Sequence, residues 1–178
     1  MELLEVLRRR AMVREFGPEP PTREQMKKLV YAATRAPNGG NMLSREIFVL
    51  DDPRYVKMLK SVTPSFIANA PVALVICTDM VKASDLMGAH GRDIVSLLDS
   101  GAAAENVALL AEEMGLGVSF VRSCTDSGTR KILGIPERYR IDIIVGVGHK
   151  SAKRAPAMKG SKPVVHHNDY GVPWNGSN

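Results

Sequence analysis

Apolar positions along the chain change between helical and strand spacing, which predicts a mixed α and β fold. The first predicted helix spans 2–10 and places its apolar residues on one side: Leu3, Leu4, Val6 and Leu7. A second helix begins after Thr22, where Gln25 completes a capping box three residues later. Its apolar stripe consists of Met26, Leu29, Val30 and Ala33, and Pro37 ends it.

Four short apolar runs predict strands, at 47–50, 71–78, 118–122 and 140–146. The run at 71–78 is continuously apolar, as in strands buried on both faces of a sheet. Three more helices are predicted, one starting at Asp52-Pro53, a long one over 93–114 and a short one over 129–133. Loops are predicted at 61–70 and 80–92.

The long predicted helix is apolar around most of its circumference, apart from Glu105 and Asn106. Small side chains fill 101–104, so another backbone can approach closely there. Two interpretations follow: a central helix within one domain, or a helix packed against its own copy in a dimer.

Length and composition fit one domain with a useful core, since the chain has 178 residues and 44% are hydrophobic. We expect no membrane span and a cytoplasmic protein, because no long apolar run and no secretory leader stand out. Cys77 lies in an apolar run and is expected to be an inert buried thiol. The four histidines lack metal-ligand spacing, so no metal site is predicted.

The net charge of +5 raises the possibility of nucleic-acid binding. The basic residues are concentrated at 8–14 and 150–162, however, and only 5% of residues are aromatic. Few side chains can therefore stack on bases, and no nucleic-acid partner is expected. A general basic nucleic-acid binder stays as a third, unrelated hypothesis.

Three segments are candidates for ligand chemistry. Arg10 and Arg14 flank a short turn and could converge on one anion, or they could belong to a solvated basic helix end. The segment 36–41 is either a helix-ending turn or a loop that exposes backbone and two carboxamides to a planar ligand. A basic patch at 159–163 is by itself an ordinary surface feature.

The order and spacing of these segments resemble the FMN-dependent nitroreductase family over about 4–171. In that family an arginine-rich motif ending in Phe follows the first helix, and an Ala-Pro loop with an Asn follows the second. The corresponding segments here are 10–16, 36–43, 99–106, 115–117, 133–136, 146–148 and 162–166.

The resemblance implies an α+β fold, a three-layer sandwich with a mixed, mostly antiparallel sheet flanked by helices, in an intertwined homodimer. The chain would be a single domain, 1–178, with 150–178 a C-terminal extension that wraps the partner subunit. It would bind FMN, take hydride from NADH or NADPH, and reduce a nitroaromatic, quinone or similar acceptor in a ping-pong sequence.

The implied FMN site has a phosphate end, a loop and a segment near the reactive edge of the flavin. Arg10, Arg14 and Lys162 would hold the phosphate, the loop would come from the other subunit, and Arg122-Ser123 would lie at the edge. The full implied set is Arg10, Ala11, Met12, Arg14, Pro37, Asn38, Gly39, Asn41, Arg122, Ser123 and Lys162. No catalytic acid or nucleophile is implied, because the cofactor carries the reaction.

Two residues depart from the family pattern in ways that bear on FMN. Met12 stands where the family has a phosphate-binding serine, and Leu43 stands where it has a glutamine. Neither side chain hydrogen-bonds to a flavin, although Arg45 or Arg122 could compensate. The alternative function is therefore a non-enzymatic or regulatory flavin- or nucleotide-binding dimer on the same fold.

Overall fold

The computed structural model describes residues 1–63, 69–151 and 163–174. In these ranges the helices are α1 (Leu3–Arg9), α2 (Arg23–Thr34), α3 (Pro53–Ser61), α4 (Met80–His90), α5 (Ser96–Glu113) and α6 (Asp126–Leu133). The strands are β1 (Arg45–Leu50), β2 (Val72–Asp79), β3 (Leu116–Val121) and β4 (Tyr139–His149). A short 3₁₀ turn covers Gly39–Asn41, and a π-helical turn covers Gly91–Val95.

The four strands form one sheet in the order β1-β2-β4-β3, and each neighbouring pair is antiparallel. Every residue of β2 is buried, which confirms the prediction of a strand covered on both faces. Met12 adds a parallel bridge to Val118 at the β3 edge. The sheet is thus mostly antiparallel, as the resemblance implied.

Helices cover both faces of the sheet, giving three layers. On one face, Val56 and Leu59 of α3 pack with Val75 of β2. On the other face, Leu29 of α2 and Val107 of α5 pack in one core. The α+β sandwich is therefore confirmed for the described residues.

The predicted capping box of α2 is present, since the Thr22 side chain accepts from the Gln25 N–H and the Gln25 side chain accepts from the Thr22 N–H. The prediction of a loop over 80–92 is wrong. Asp79, at the end of β2, accepts from the N–H groups of Val81 and Lys82 and starts α4 there. This cap satisfies donors at a helix start that the residue pattern alone did not reveal.

Helix α4, the π-helical turn and α5 follow one another without a gap from Met80 to Glu113. Gly88, with φ +60°, interrupts the helical geometry within this run. By length and composition the run meets the criterion for crossing a membrane, contrary to the expectation that no such run exists. One side of its α5 part packs on α2 and on strands of the sheet, whereas Leu97 and Leu98 in the first turn of α5 are exposed.

Cys77 is fully buried in β2, as the sequence predicts. Burial raises the pKa of the Cys77 thiol to about 12. The thiol therefore stays protonated at neutral pH and is a poor nucleophile.

Candidate functional site

The segment that follows α1 lies along the β3 edge of the sheet and then against the end of β4. The Val13 N–H donates to the Val118 carbonyl at 2.8 Å, and the Gly17 N–H donates to the His149 carbonyl at 2.9 Å. Val13 and Phe16 are buried, whereas Met12 and Arg14 are exposed. Because Val13 and Phe16 are buried, the side chains of the two residues between them, Arg14 and Glu15, face the solvent.

Two side chains from distant parts of the chain hold this segment. The Arg10 Nε lies 3.1 Å from the Glu105 carboxylate on α5. Asn69 accepts from the Phe16 N–H and donates to the Phe16 carbonyl, both at 2.7 Å. Asn69 thus acts like a neighbouring strand, and nothing in the sequence pattern pointed to this contact.

The predicted phosphate-binding arginines remain available for an anion. Arg10 uses Nε for its ion pair, which leaves its terminal amino groups for another acceptor. Among the described residues, no carboxylate lies within ion-pair distance of Arg14. Lys162, the third predicted phosphate ligand, lies outside the described residues.

The loop after α2 has left-handed backbone conformation at two adjacent positions. Gly40 and Asn41 have φ of +57° and +55°. The Gly39 N–H donates to both carboxylate oxygens of Asp99 on α5, at 3.0 and 3.2 Å. Pro37 is exposed, and the Asn38 Oδ1 atom is buried with no hydrogen-bond donor in the described part of the chain.

Gly39 allows the loop to approach the π-helical turn closely. A Cβ atom built on Gly39 would lie 2.1 Å from Cγ1 of Val95. That distance is far shorter than any stable carbon–carbon contact, so the loop conformation needs glycine at this position.

Arg45 fixes the backbone on either side of this loop. Its guanidinium donates to the Asp99 carbonyl at 2.7 Å and to the Ala36 carbonyl at 3.3 Å. Burial lowers the pKa of Arg45, and the nearby Asp99 opposes that shift. Because Arg45 is engaged with backbone, the suggestion that it compensates for Met12 at the phosphate finds no support in its contacts.

A buried polar network anchors the beginning of α5 to the sheet. Asp142 of β4 accepts from the hydroxyls of Thr78 and Ser100 and from Nε of Arg140. The Arg140 guanidinium also donates to the Ser96 hydroxyl at 2.8 Å. The helix that carries Asp99 is therefore held to β2 and β4 by side-chain contacts.

The structure brings some predicted site residues near one another and leaves others apart. Arg10 and Gly39 both contact α5, through Glu105 and Asp99, positions separated by about 9 Å along the helix axis at 1.5 Å per residue. Arg122 and Ser123 directly follow the C-terminal end of β3. Leu116, at the other end of that strand, pairs with His149. Met12 of the arginine segment bridges Val118, and Arg122 lies four residues further along the chain, which is about 13 Å in an extended strand. One chain alone therefore does not place Arg122-Ser123 beside the arginine segment.

Arg122 and Ser123 are both exposed, and Arg122 lies 3.4 Å from Asp126 at the start of α6. Leu43, two residues after the loop, is 78% exposed. The roles of the whole predicted set stay predictions, including those of Ala11 and Met12.

The nitroreductase family model matches residues 7–62 and 53–149, most of the chain. The chain belongs to the nitroreductase family. An NADPH-dependent oxidoreductase of Staphylococcus aureus is 27% identical over 175 residues, covering 89% of this chain and 70% of the relative.

Solved nitroreductase structures share the fold of this family member. The NADPH:FMN oxidoreductase of Vibrio harveyi, complexed with NAD⁺, superposes with a TM-score of 0.80 at 23% identity, covering 94% of this chain and 77% of that one. An FMN-dependent nitroreductase of Clostridium difficile gives a TM-score of 0.78 at 23% identity, covering 94% and 99% of the two chains. At these identities the similarity establishes the nitroreductase fold.

Proposed function

We propose that this nitroreductase-family chain is an FMN-dependent oxidoreductase that takes hydride from NADH or NADPH and reduces a nitroaromatic, quinone or similar small acceptor. Family membership and the names of the similar oxidoreductases support the cofactor and the electron donor. The structural observation that carries the proposal is the loop after α2. It combines a glycine packed closely against the π-helical turn with a buried Asn38 oxygen that has no hydrogen-bond donor among the described residues.

The residues present fit FMN in chemical type. A flavin mononucleotide carries a phosphate, ribityl hydroxyls and a ring N3–H. Arg10 and Arg14 offer charge-assisted donors suited to the phosphate. The Asn38 oxygen is an acceptor suited to a hydroxyl or ring N–H. FMN, when bound, supplies the hydride and electron transfer chemistry, and the protein supplies binding and orientation.

A second copy of the chain completes the proposed site. Exposed apolar side chains line the outer face of α4, the π-helical turn and α5: Leu86, Met87, Ile94, Leu97 and Leu98. Such a contiguous apolar surface is typical of an interface. Two-fold pairing would bring a second loop after α2 and a second Arg122-Ser123 segment toward each arginine segment.

The C-terminal segment is proposed to extend across the partner as part of the single domain 1–178. Every residue over 163–174 is exposed, including Val164 and Trp174. Covering such exposed apolar side chains with another protein surface lowers the free energy. A cytoplasmic location stays a prediction, as do the absence of a membrane partner and of a nucleic-acid partner.

Anaerobic mixing with NADPH or NADH tests the enzymatic proposal. We expect the absorbance of bound FMN to bleach, and to return when a quinone or nitroaromatic compound is added. Steady-state rates should give parallel double-reciprocal lines for donor and acceptor, as a ping-pong order requires. FMN that stays oxidised with both donors would refute the enzymatic function.

The alternative, a non-enzymatic or regulatory flavin- or nucleotide-binding dimer, is favoured by two side chains. Met12 and Leu43 are exposed and offer no hydrogen bond of useful strength to a flavin. Tight FMN binding without bleaching would support this alternative. A third candidate, a basic nucleic-acid binder, would instead show duplex affinity that falls steeply with salt.

A further inference from the structure

Asp99 lies where the candidate cofactor loop meets α5. Its carboxylate accepts the Gly39 N–H with both oxygens, at 3.0 and 3.2 Å. Its backbone carbonyl accepts from Arg45 at 2.7 Å, and the same guanidinium reaches the Ala36 carbonyl at 3.3 Å. Asp99 and Arg45 therefore connect the end of α2, the loop and α5.

The support beneath Asp99 is rigid. Ser96 and Ser100, on the same two turns of α5, bond to Arg140 and Asp142 of β4. Those strand residues are partly or fully buried. A carboxylate fixed in this way holds its hydrogen-bond partner in one place, which is what a preorganised binding loop needs.

The residue before Gly39 carries a buried polar atom without a hydrogen-bond partner among the described residues. Asn38 immediately precedes Gly39, and its Oδ1 atom is buried without a donor among the described residues. A buried acceptor in that state is costly unless a ligand or partner supplies a donor. Val95, one helical turn before Asp99, occupies the space beside Gly39 in which a Cβ would lie.

We propose that Asp99 is a positioning residue for the cofactor. Through the Gly39 amide, Asp99 holds the loop over 37–41 in its FMN-binding conformation. This inference rests on the proposed FMN-dependent function. Asp99 does not itself contact the reacting atoms. Its contribution is to keep the Asn38 carboxamide and the exposed loop backbone in place for the flavin.

The test compares the full-length chain with Asp99→Ala and Asp99→Asn. We expect Asp99→Ala to raise the FMN dissociation constant about tenfold or more, because a hydrogen bond to a charged group is lost. Asp99→Asn keeps one acceptor oxygen without the charge, so a rise of about threefold is expected, since charge-assisted bonds are roughly twice as strong as neutral ones. Asp93→Ala is the matched control, because Asp93 is exposed and pairs with Arg92.

Two readouts separate positioning from a purely structural role: the visible spectrum of bound FMN and the melting temperature of the protein without FMN. Positioning predicts a changed flavin spectrum in Asp99→Ala and partial recovery in Asp99→Asn. Wild-type affinity and spectrum in both variants would overturn the inference. So would affinity losses that merely follow the loss of apo-protein stability.

If Asp99→Ala does not fold, the Asp99→Asn variant alone tests the inference. Unchanged affinity and spectrum in Asp99→Asn would then count against the inference. Failure of the proposed function would be recognised from the wild-type chain, which would then bind no FMN.

Discussion

Gly39→Ala tests the close contact between the candidate cofactor loop and the π-helical turn. The added Cβ would lie 2.1 Å from Cγ1 of Val95, against 3.6 Å from the Val95 Cβ and 3.7 Å from the Met87 sulfur. Carbon atoms in contact prefer about 3.5–4.0 Å, so the loop or the helical turn must move by about 1.5 Å. Overpacking of this kind costs about 1–3 kcal/mol.

That cost should appear in FMN binding, because the loop can relieve the clash by leaving its binding position. A penalty of about 1–3 kcal/mol corresponds to a rise in the FMN dissociation constant of about five- to 150-fold, at 1.4 kcal/mol per factor of ten. Fluorescence titration with FMN measures this directly. Gly17→Ala is a suitable control, since a Cβ there would make ordinary contacts of 3.9 Å with His149.

The double variant Gly39→Ala with Val95→Ala makes the reasoning refutable. Removing the Val95 γ-carbons leaves the added methyl 3.6 Å from the Val95 Cβ, an ordinary contact. FMN affinity should therefore recover by about 1 kcal/mol or more relative to Gly39→Ala, as expected for two positions that interact directly. Simple addition of the two single effects would show that steric contact with Val95 is not what constrains the loop.

Other parts of the structure give three further predictions. Arg10→Ala and Arg14→Ala should each raise the FMN dissociation constant about tenfold or more, because a charge-assisted bond is lost, whereas Arg8→Ala should not. Equal effects in all three variants would contradict a specific phosphate site. Asp142→Ala leaves the Arg140 charge and two hydroxyl donors unpaired and should cost about 3–5 kcal/mol in urea unfolding, while Asp93→Ala should leave the unfolding midpoint close to wild type. Leu98→Glu should convert a dimer to a monomer, as measured by light scattering, and should weaken FMN binding. Val49→Glu, at an exposed site on β1, should do neither. A dimeric Leu98→Glu protein would place the interface elsewhere.

Local signals made much of the fold predictable. The capping box at Thr22 and Gln25 lies within four residues, so the start of α2 is visible in the sequence. The apolar run of β2 has no competing pattern, and its burial follows from composition alone. Helix α4 was missed because its cap, Asp79, is the last residue of a strand and Gly88 interrupts the helical pattern.

The contacts that shape the candidate site are not local, which limits what the sequence reveals. Gly39 and Asp99 are 60 positions apart, and Phe16 and Asn69 are 53 apart. Their pairing depends on how α2, α5 and the sheet pack, and no spacing rule encodes it. The arginines and the glycine loop were predictable as candidates, but the residues that hold them, Asp99 and Asn69, were not.

Titration of the purified chain with FMN tests the central claim most directly. We predict saturable binding that reaches one FMN per chain, with quenched flavin fluorescence and a protein that stays yellow after gel filtration. Binding should weaken in Arg10→Ala and in Gly39→Ala, which lie at the two ends of the proposed site. A chain that stays colourless and takes up no FMN at saturating concentration would contradict the account.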